Sequence, residues 1–141
     1  MSTEATIIAA LKSELEGITK GNGYNTTVRM IKHQSGALSD VEERPALTFW
    51  VNRRARDNSS FGRSKGTLHF TIRGWIDHQK EDYDAPHDLL ADVESLLTTW
   101  TYQEFSNITE TIPYFDDRTR DMVAIFDVNF TVDYFYTEGS P

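Results

Sequence analysis

Apolar residues in this chain follow two spacings, one helical and one alternating. The first helical stretch carries Ile7, Ile8, Leu11, Leu15 and Ile18, with Lys12, Ser13, Glu14 and Glu16 on the opposite side. Ser2 or Thr3 can cap its start and Gly17 can end it, and the turn-forming Lys20-Gly21-Asn22-Gly23 follows. The second stripe runs through Leu89, Leu90, Val93, Leu96, Leu97 and Trp100. Asp84 stands ready as its N-cap, and Pro86 falls in the first turn, where a missing N–H costs little.

Between and after these helices the period drops to two. Residues 26–33 read as a short strand with Val28 and Met30 or Ile31 available to a core. In residues 46–52, Leu47, Phe49 and Val51 share one face, and Thr48 and Trp50 the other. Residues 67–77 alternate most strictly. Leu68, Phe70, Ile72 and Ile76 point one way, and Thr67, His69, Thr71, Arg73 and Trp75 the other. Residues 108–114 form a weaker strand in which Pro113 suggests a sheet edge. The last strand sets Phe126, Val128, Phe130, Val132 and Tyr134 against Asp127, Asn129, Thr131 and Asp133.

The order helix, three strands, helix, two strands predicts one α+β domain over residues 1–141. Its expected form is a two-layer sandwich, a mainly antiparallel sheet with both helices packed on one face. The opposite sheet face is then left to solvent or a partner.

Composition narrows the function classes. The chain has 141 residues with 38% hydrophobic and 12% aromatic content, a globular profile with enough apolar mass for one core. It has no cysteine, which excludes disulfides, thiolate metal sites and a cysteine nucleophile. No apolar run approaches the roughly 20 residues that span a bilayer, and the N-terminus has no basic region ahead of an apolar stretch, so neither membrane insertion nor a signal sequence is expected. A net charge of −8 argues against a general binder of phosphate backbones.

Catalytic signatures are absent from the sequence. There is no phosphate-binding glycine loop, nucleophile elbow or HExxH. Gly21-Asn22-Gly23 follows a helix, whereas a dinucleotide fingerprint follows a strand. The acids Asp77, Glu81, Asp82, Asp84 and Asp88, with His78 and His87, could hold a metal and support a small metal-dependent hydrolase. Acids at a helix start are equally explained by the helix dipole, and the spacing fits no calcium loop. Glu110, Asp127, Asn129 and Asp133 could pair as acid and base, but they occupy the polar phase of strands. His33, His69, His78 and His87 have no ligand spacing. No catalytic, metal-binding or cofactor-binding residue is assigned, and no cofactor is expected.

Two features stand out from this background. Residues 53–65 read as a polar loop holding Arg53, Arg54, Arg56, Arg63 and Lys65 against Asp57 alone. Such a loop suits docking on an acidic neighbour, or contact with DNA phosphates. Trp50 and Trp75 fall on the face away from the helices, together with Arg73. Trp and Arg are enriched at subunit interfaces. The candidate interface set is therefore Trp50, Arg53, Arg54, Arg56, Arg63, Lys65, Arg73 and Trp75, facing Asp127 and Asp133 as acidic counterparts.

Taken in order, Arg44-Pro45-Ala46-Leu47-Thr48-Phe49, a charged loop, Gly66-Thr67-Leu68-His69-Phe70-Thr71-Ile72-Arg73-Gly74-Trp75, Leu89-Leu90-Ala91-Asp92-Val93-Glu94-Ser95-Leu96-Leu97 and Val123-Ala124-Ile125-Phe126-Asp127-Val128-Asn129-Phe130-Thr131-Val132-Asp133-Tyr134 form a pattern over nearly the whole chain. It resembles the bacteriophage tail terminator and minor tail protein families, including the lambda-type terminators and those of contractile tails. The longer basic loop and the stretch 99–121 depart from that pattern. The resemblance implies a non-enzymatic virion protein of the tail or neck, assembled in the host cytoplasm as a hexameric ring. It implies that the ring caps the tail tube, stops its growth and offers the head-tail joining surface. Implied partners are further copies of the chain, the tail tube protein, the sheath where there is one, and a head-side connector. DNA would pass through the lumen unread. A head-completion or connector neck protein of the same fold is the alternative within this class.

Overall fold

The computed structural model describes residues 3–34, 41–57, 63–77, 84–100, 106–116 and 123–137. Along the chain these form helix α1 (Thr3–Glu16), strands β1 (Met30–His33), β2 (Ala46–Asp57) and β3 (Arg63–Asp77), helix α2 (Asp84–Thr99), and strands β4 (Ser106–Asp116) and β5 (Val123–Thr137). The fold class is α+β, as the order of periodicities implies. The five strands lie in the order β1-β2-β3-β5-β4 in one open sheet. All pairings are antiparallel except β1 with β2, which run parallel. β4 lies at an edge, where Pro113 forfeits no interior ladder bond.

Both helices cover the same sheet face. Ile7, Leu11, Leu15 and Ile18 from the first helical stretch meet Leu89, Val93, Leu96, Leu97 and Trp100 from the second. Beneath them lie Leu47, Phe49, Leu68, Phe70, Ile72, Phe126, Val128, Phe130 and Val132, and all of these are buried. Burying a side chain of this size stabilises by about 1.5–3 kcal/mol, so this single layer of contacts dominates the folding energy. Phe70 and Phe130 stack across β3 and β5 with centroids 5.1 Å apart. Two positions on β3 require glycine. A Cβ on Gly74 would enter the Phe126 ring, and one on Gly66 would enter the Tyr134 ring. The rings occupy the space over the glycines and complete the core where β3 has no side chain.

The 53–65 segment differs from the expected loop. β2 continues to Asp57 and β3 begins at Arg63, so all five basic residues are strand residues of a long hairpin arm. The chain pairs Arg56 with Gly66 and Asp57 with Lys65, and β5 continues alongside to pair Arg63 with Thr137. The ladder is sustained by backbone bonds on both sides of β3, which needs no apolar alternation and therefore leaves no periodic signal. Residues 58–62 lie outside the described residues, as does the side chain of Arg63.

One irregularity sets the facing of the arm. Val51 pairs with Phe70 and Arg53 with His69, so Asn52 is an extra residue, a β-bulge. Asn52 and Arg53 therefore both lie on the face away from the helices, and Arg54 and Arg56 turn to the helix side.

Candidate interface on the open sheet face

The face away from the helices carries an ordered polar network. The Arg73 guanidinium donates from Nε and Nη2 to the two Asp127 carboxylate oxygens at 2.7 and 2.9 Å, a bidentate pair joining β3 to β5. Its other flank is aromatic, 5.3 Å from the Trp50 ring centroid and 5.9 Å from that of Trp75. Further along, Asn52 Nδ2 donates to Thr71 Oγ1 at 2.6 Å, and Thr71 donates on to Asn129 Oδ1 at 2.7 Å. Nearer the arm, Thr67 donates to Asp133 at 2.7 Å, and Lys65 Nζ lies 3.3 Å from the other Asp133 oxygen. Each rung crosses between neighbouring strands, so the network locks the relative positions of β2, β3 and β5.

This arrangement changes the meaning of several candidates. Trp75 is on the open side, as strand parity implies, but it is only 2% exposed. Val41, Ala46, Val123, Ile125 and Met30 enclose it in a second small core, and its Nε1 donates to Thr48 Oγ1 at 3.0 Å. It is not the exposed aromatic that an interface anchor requires. The reason lies in the segment before β2, which folds across this end of the sheet. Asp127 and Asp133 are likewise not open acidic acceptors, since Arg73, Lys65 and Thr67 of the same chain already occupy them. Arg54 pairs with Glu4 of α1, donating from Nε and Nη2 at 2.8 and 2.6 Å. The Arg54 guanidinium holds the Glu4 carboxyl below its ordinary value, against the opposing effect of partial burial.

The residues that remain outward are Trp50, which is half-buried, and Arg53, which is exposed. Ile112 of β4 and Phe135 of β5 join them at 37% and 45% exposure. By strand parity both lie on the same open face, and the apolar alternation of the chain does not single out either. Arg56 is exposed on the helix side of the arm, near enough to Glu4 to favour its charged form.

Of the acidic region 77–88, Asp77 and Asp88 lie at the other end of the sheet. Asp77 accepts from Arg44 Nε at 2.7 Å, and both border an open cleft of about 330 Å³ with Pro45, Ile76, Ala85 and Asp88. Among the described residues no three His, Asp or Glu side chains gather closely enough to hold a metal ion. His78, Glu81 and Asp82 lie outside the described residues. Glu110 and Asn129 are register partners on β4 and β5, but Asn129 is engaged by Thr71. His33 stacks on Phe49 at 5.0 Å and His69 pairs across from Arg53, far from each other in role.

The partners of the buried Asp92 carboxylate escape the sequence reading. It lies on the core side of α2, 3% exposed, and accepts from the backbone N–H groups of Asn25 and Thr26 at 3.0 and 2.9 Å. It pins the segment between α1 and β1 to α2.

Compared with known proteins, the chain matches no family model and no curated relative.

Proposed function

We propose that this chain is a structural, non-enzymatic subunit of a tailed-phage virion, a tail-terminator-like protein that works as a ring of copies, six in the arrangement favoured by the resemblance. The observation that carries the self-assembling part of this reading is the part of the sheet face that the described residues leave open, running out into a cationic arm. Trp50, Arg53, Ile112 and Phe135 on that face are the aromatic, aliphatic and arginine chemistry of subunit contacts. The phage assignment is supported by the order of motifs along the chain and by their realisation as one α+β sandwich.

In this reading the polar rungs of the open face serve rigidity. Arg73 with Asp127 and Lys65 with Asp133 fix the strand positions, so a neighbour meets a surface that needs little reordering on binding. A subunit that uses unlike surfaces for its two contacts closes into a ring when the rotation between copies divides a full turn. The ring occupies the tube end on which the next tube layer would stack, and growth stops there. Its opposite side is offered to the head-side neck protein. DNA threads the channel, and the acidic excess of the chain disfavours its adhesion to the wall.

Native mass spectrometry of the purified chain, followed by electron microscopy with tail tubes, tests this. The expected result is a closed oligomer with a central channel, bound at the head-proximal end of tubes. A chain that stays monomeric at high micromolar concentration and leaves tubes uncapped overturns the proposal.

A further inference from the structure

The charges of this chain are segregated along the strands rather than across the sheet. β3 begins among cations and ends among anions. At the arm end stand Arg53, Arg54, Arg56 and Lys65, with Arg63 at the start of β3, against Glu4, Asp57 and Asp133. Glu4 and Asp133 are already held by Arg54 and Lys65. At the other end stand Glu42, Glu43, Asp77, Asp84 and Asp88 against Lys20, Arg29 and Arg44, and Arg44 is held by Asp77. Fifteen residues of β3 at about 3.3 Å each separate the two ends by roughly 45 Å. That exceeds the Debye length of about 8 Å at physiological salt several times over, so the ends cannot neutralise each other within one molecule. They can do so between two.

Resting on the reading of the chain as a self-assembling subunit, we infer that the arm of one copy docks on the acidic end of the next. The arm is the docking surface, and the occupant is the Glu42–Glu43 and α2-start region of a second copy. Three observations select that occupant. The arm is cationic on both sides, because the bulge at Asn52 leaves Arg53 on the open face and sends Arg56 to the helix side. Asp127 and Asp133 on the open face are already bonded by Arg73, Thr67 and Lys65 of their own chain, which leaves them poor acceptors for a neighbour. Glu42, Glu43 and Asp88 are exposed at the opposite end and meet the charge requirement. Phe135, exposed beside Lys65 on the arm, supplies apolar area that a purely electrostatic contact would lack. The two contacting surfaces are unlike each other, which makes the contact heterologous and directional.

A charge-swap experiment tests the contact. An arm variant, Arg53→Glu with Arg56→Glu, and an end variant, Glu42→Lys with Glu43→Lys and Asp88→Lys, are each expected to associate at least about tenfold more weakly than the unaltered chain in light scattering and native mass spectrometry. Mixing the two variants restores assembly, because each altered surface then meets its complement. Cysteine crosslinking checks the same contact without reversing charge, since the chain has no cysteine of its own. Arg53→Cys protein mixed with Glu43→Cys protein is expected to give a crosslinked heterodimer through a short bismaleimide. If the unaltered chain assembles but both variants assemble as well as it does, or no crosslink forms, this contact is wrong and the ring reading stands. If the unaltered chain never assembles, both fall. If instead duplex DNA binds the unaltered chain and the arm variant alone loses that binding, with assembly unaffected, the arm is a phosphate surface and the inference is overturned.

Discussion

Asp92 interrupts the apolar stripe of α2 between Leu89 and Val93, and the interruption is visible in the sequence. Its partners are not, because Asn25 and Thr26 lie 67 and 66 residues away. Asp92→Ala leaves two backbone N–H groups without their acceptor and should cost about 2–3 kcal/mol, read as a lowered urea midpoint. Asp92→Asn, which keeps one acceptor oxygen, should cost less. Gly74 has a different logic. Gly74→Ala forces its methyl into the Phe126 ring and should destabilise by about 1–3 kcal/mol, while Phe126→Leu in the same background should recover part of that loss. Strand parity placed Trp75 on the correct face, but parity says nothing about what covers a face. The cover comes from Val41 and the chain around it, a segment with no periodicity to read.

At the scale of elements, both helices and the cores of all five strands follow from apolar spacing, and their layering follows from the need to bury one face of each. The arm does not. A run such as Arg53-Arg54-Ala55-Arg56-Asp57 has the composition of a loop, and it becomes strand because β3 and β5 continue beside it. Its tie to the helical layer is the Glu4–Arg54 pair. Glu4 is one-fifth exposed and Arg54 more than half, so solvent screening limits the pair to about 0.5–1 kcal/mol. The Glu4 carboxyl is depressed below its ordinary 4.5 when folded. Its contribution is therefore full above that ordinary value and is lost as pH falls through the lowered one. Glu4→Gln should lower the urea midpoint at neutral pH, and the difference from the unaltered chain should vanish in acid.

On the whole-molecule scale, the net charge of −8 conceals its own distribution. Composition alone argued against a general binder of phosphate backbones, yet the sheet carries a cluster of cations at one end and of acids at the other. The candidate interface was thus legible in part. The basic residues and Trp50 were marked by type, whereas Ile112, Phe135 and the acidic end required the topology that brings distant segments together. Self-association driven by these ends should weaken as ionic strength rises from low to physiological salt. Sedimentation velocity across a sodium chloride series checks this, and an association that strengthens with salt would point to apolar contacts alone.

The extra residue at Asn52 works as a phase shift. Downstream of it, odd-numbered side chains of β2 emerge on the open face, and even-numbered ones on the helix side. Deleting that one residue would remove the bulge yet keep every facing, because Val51, Arg53 and Arg54 would then be consecutive partners of Phe70, His69 and Leu68. Arg54 would keep its place beside Glu4 and Arg53 its place on the open face, and the bond lost would be the one from Asn52 to Thr71. The bulge thus takes up one residue of length without moving a charge from either face, which marks this position as a place in the arm where the chain can be shortened with its charge pattern intact.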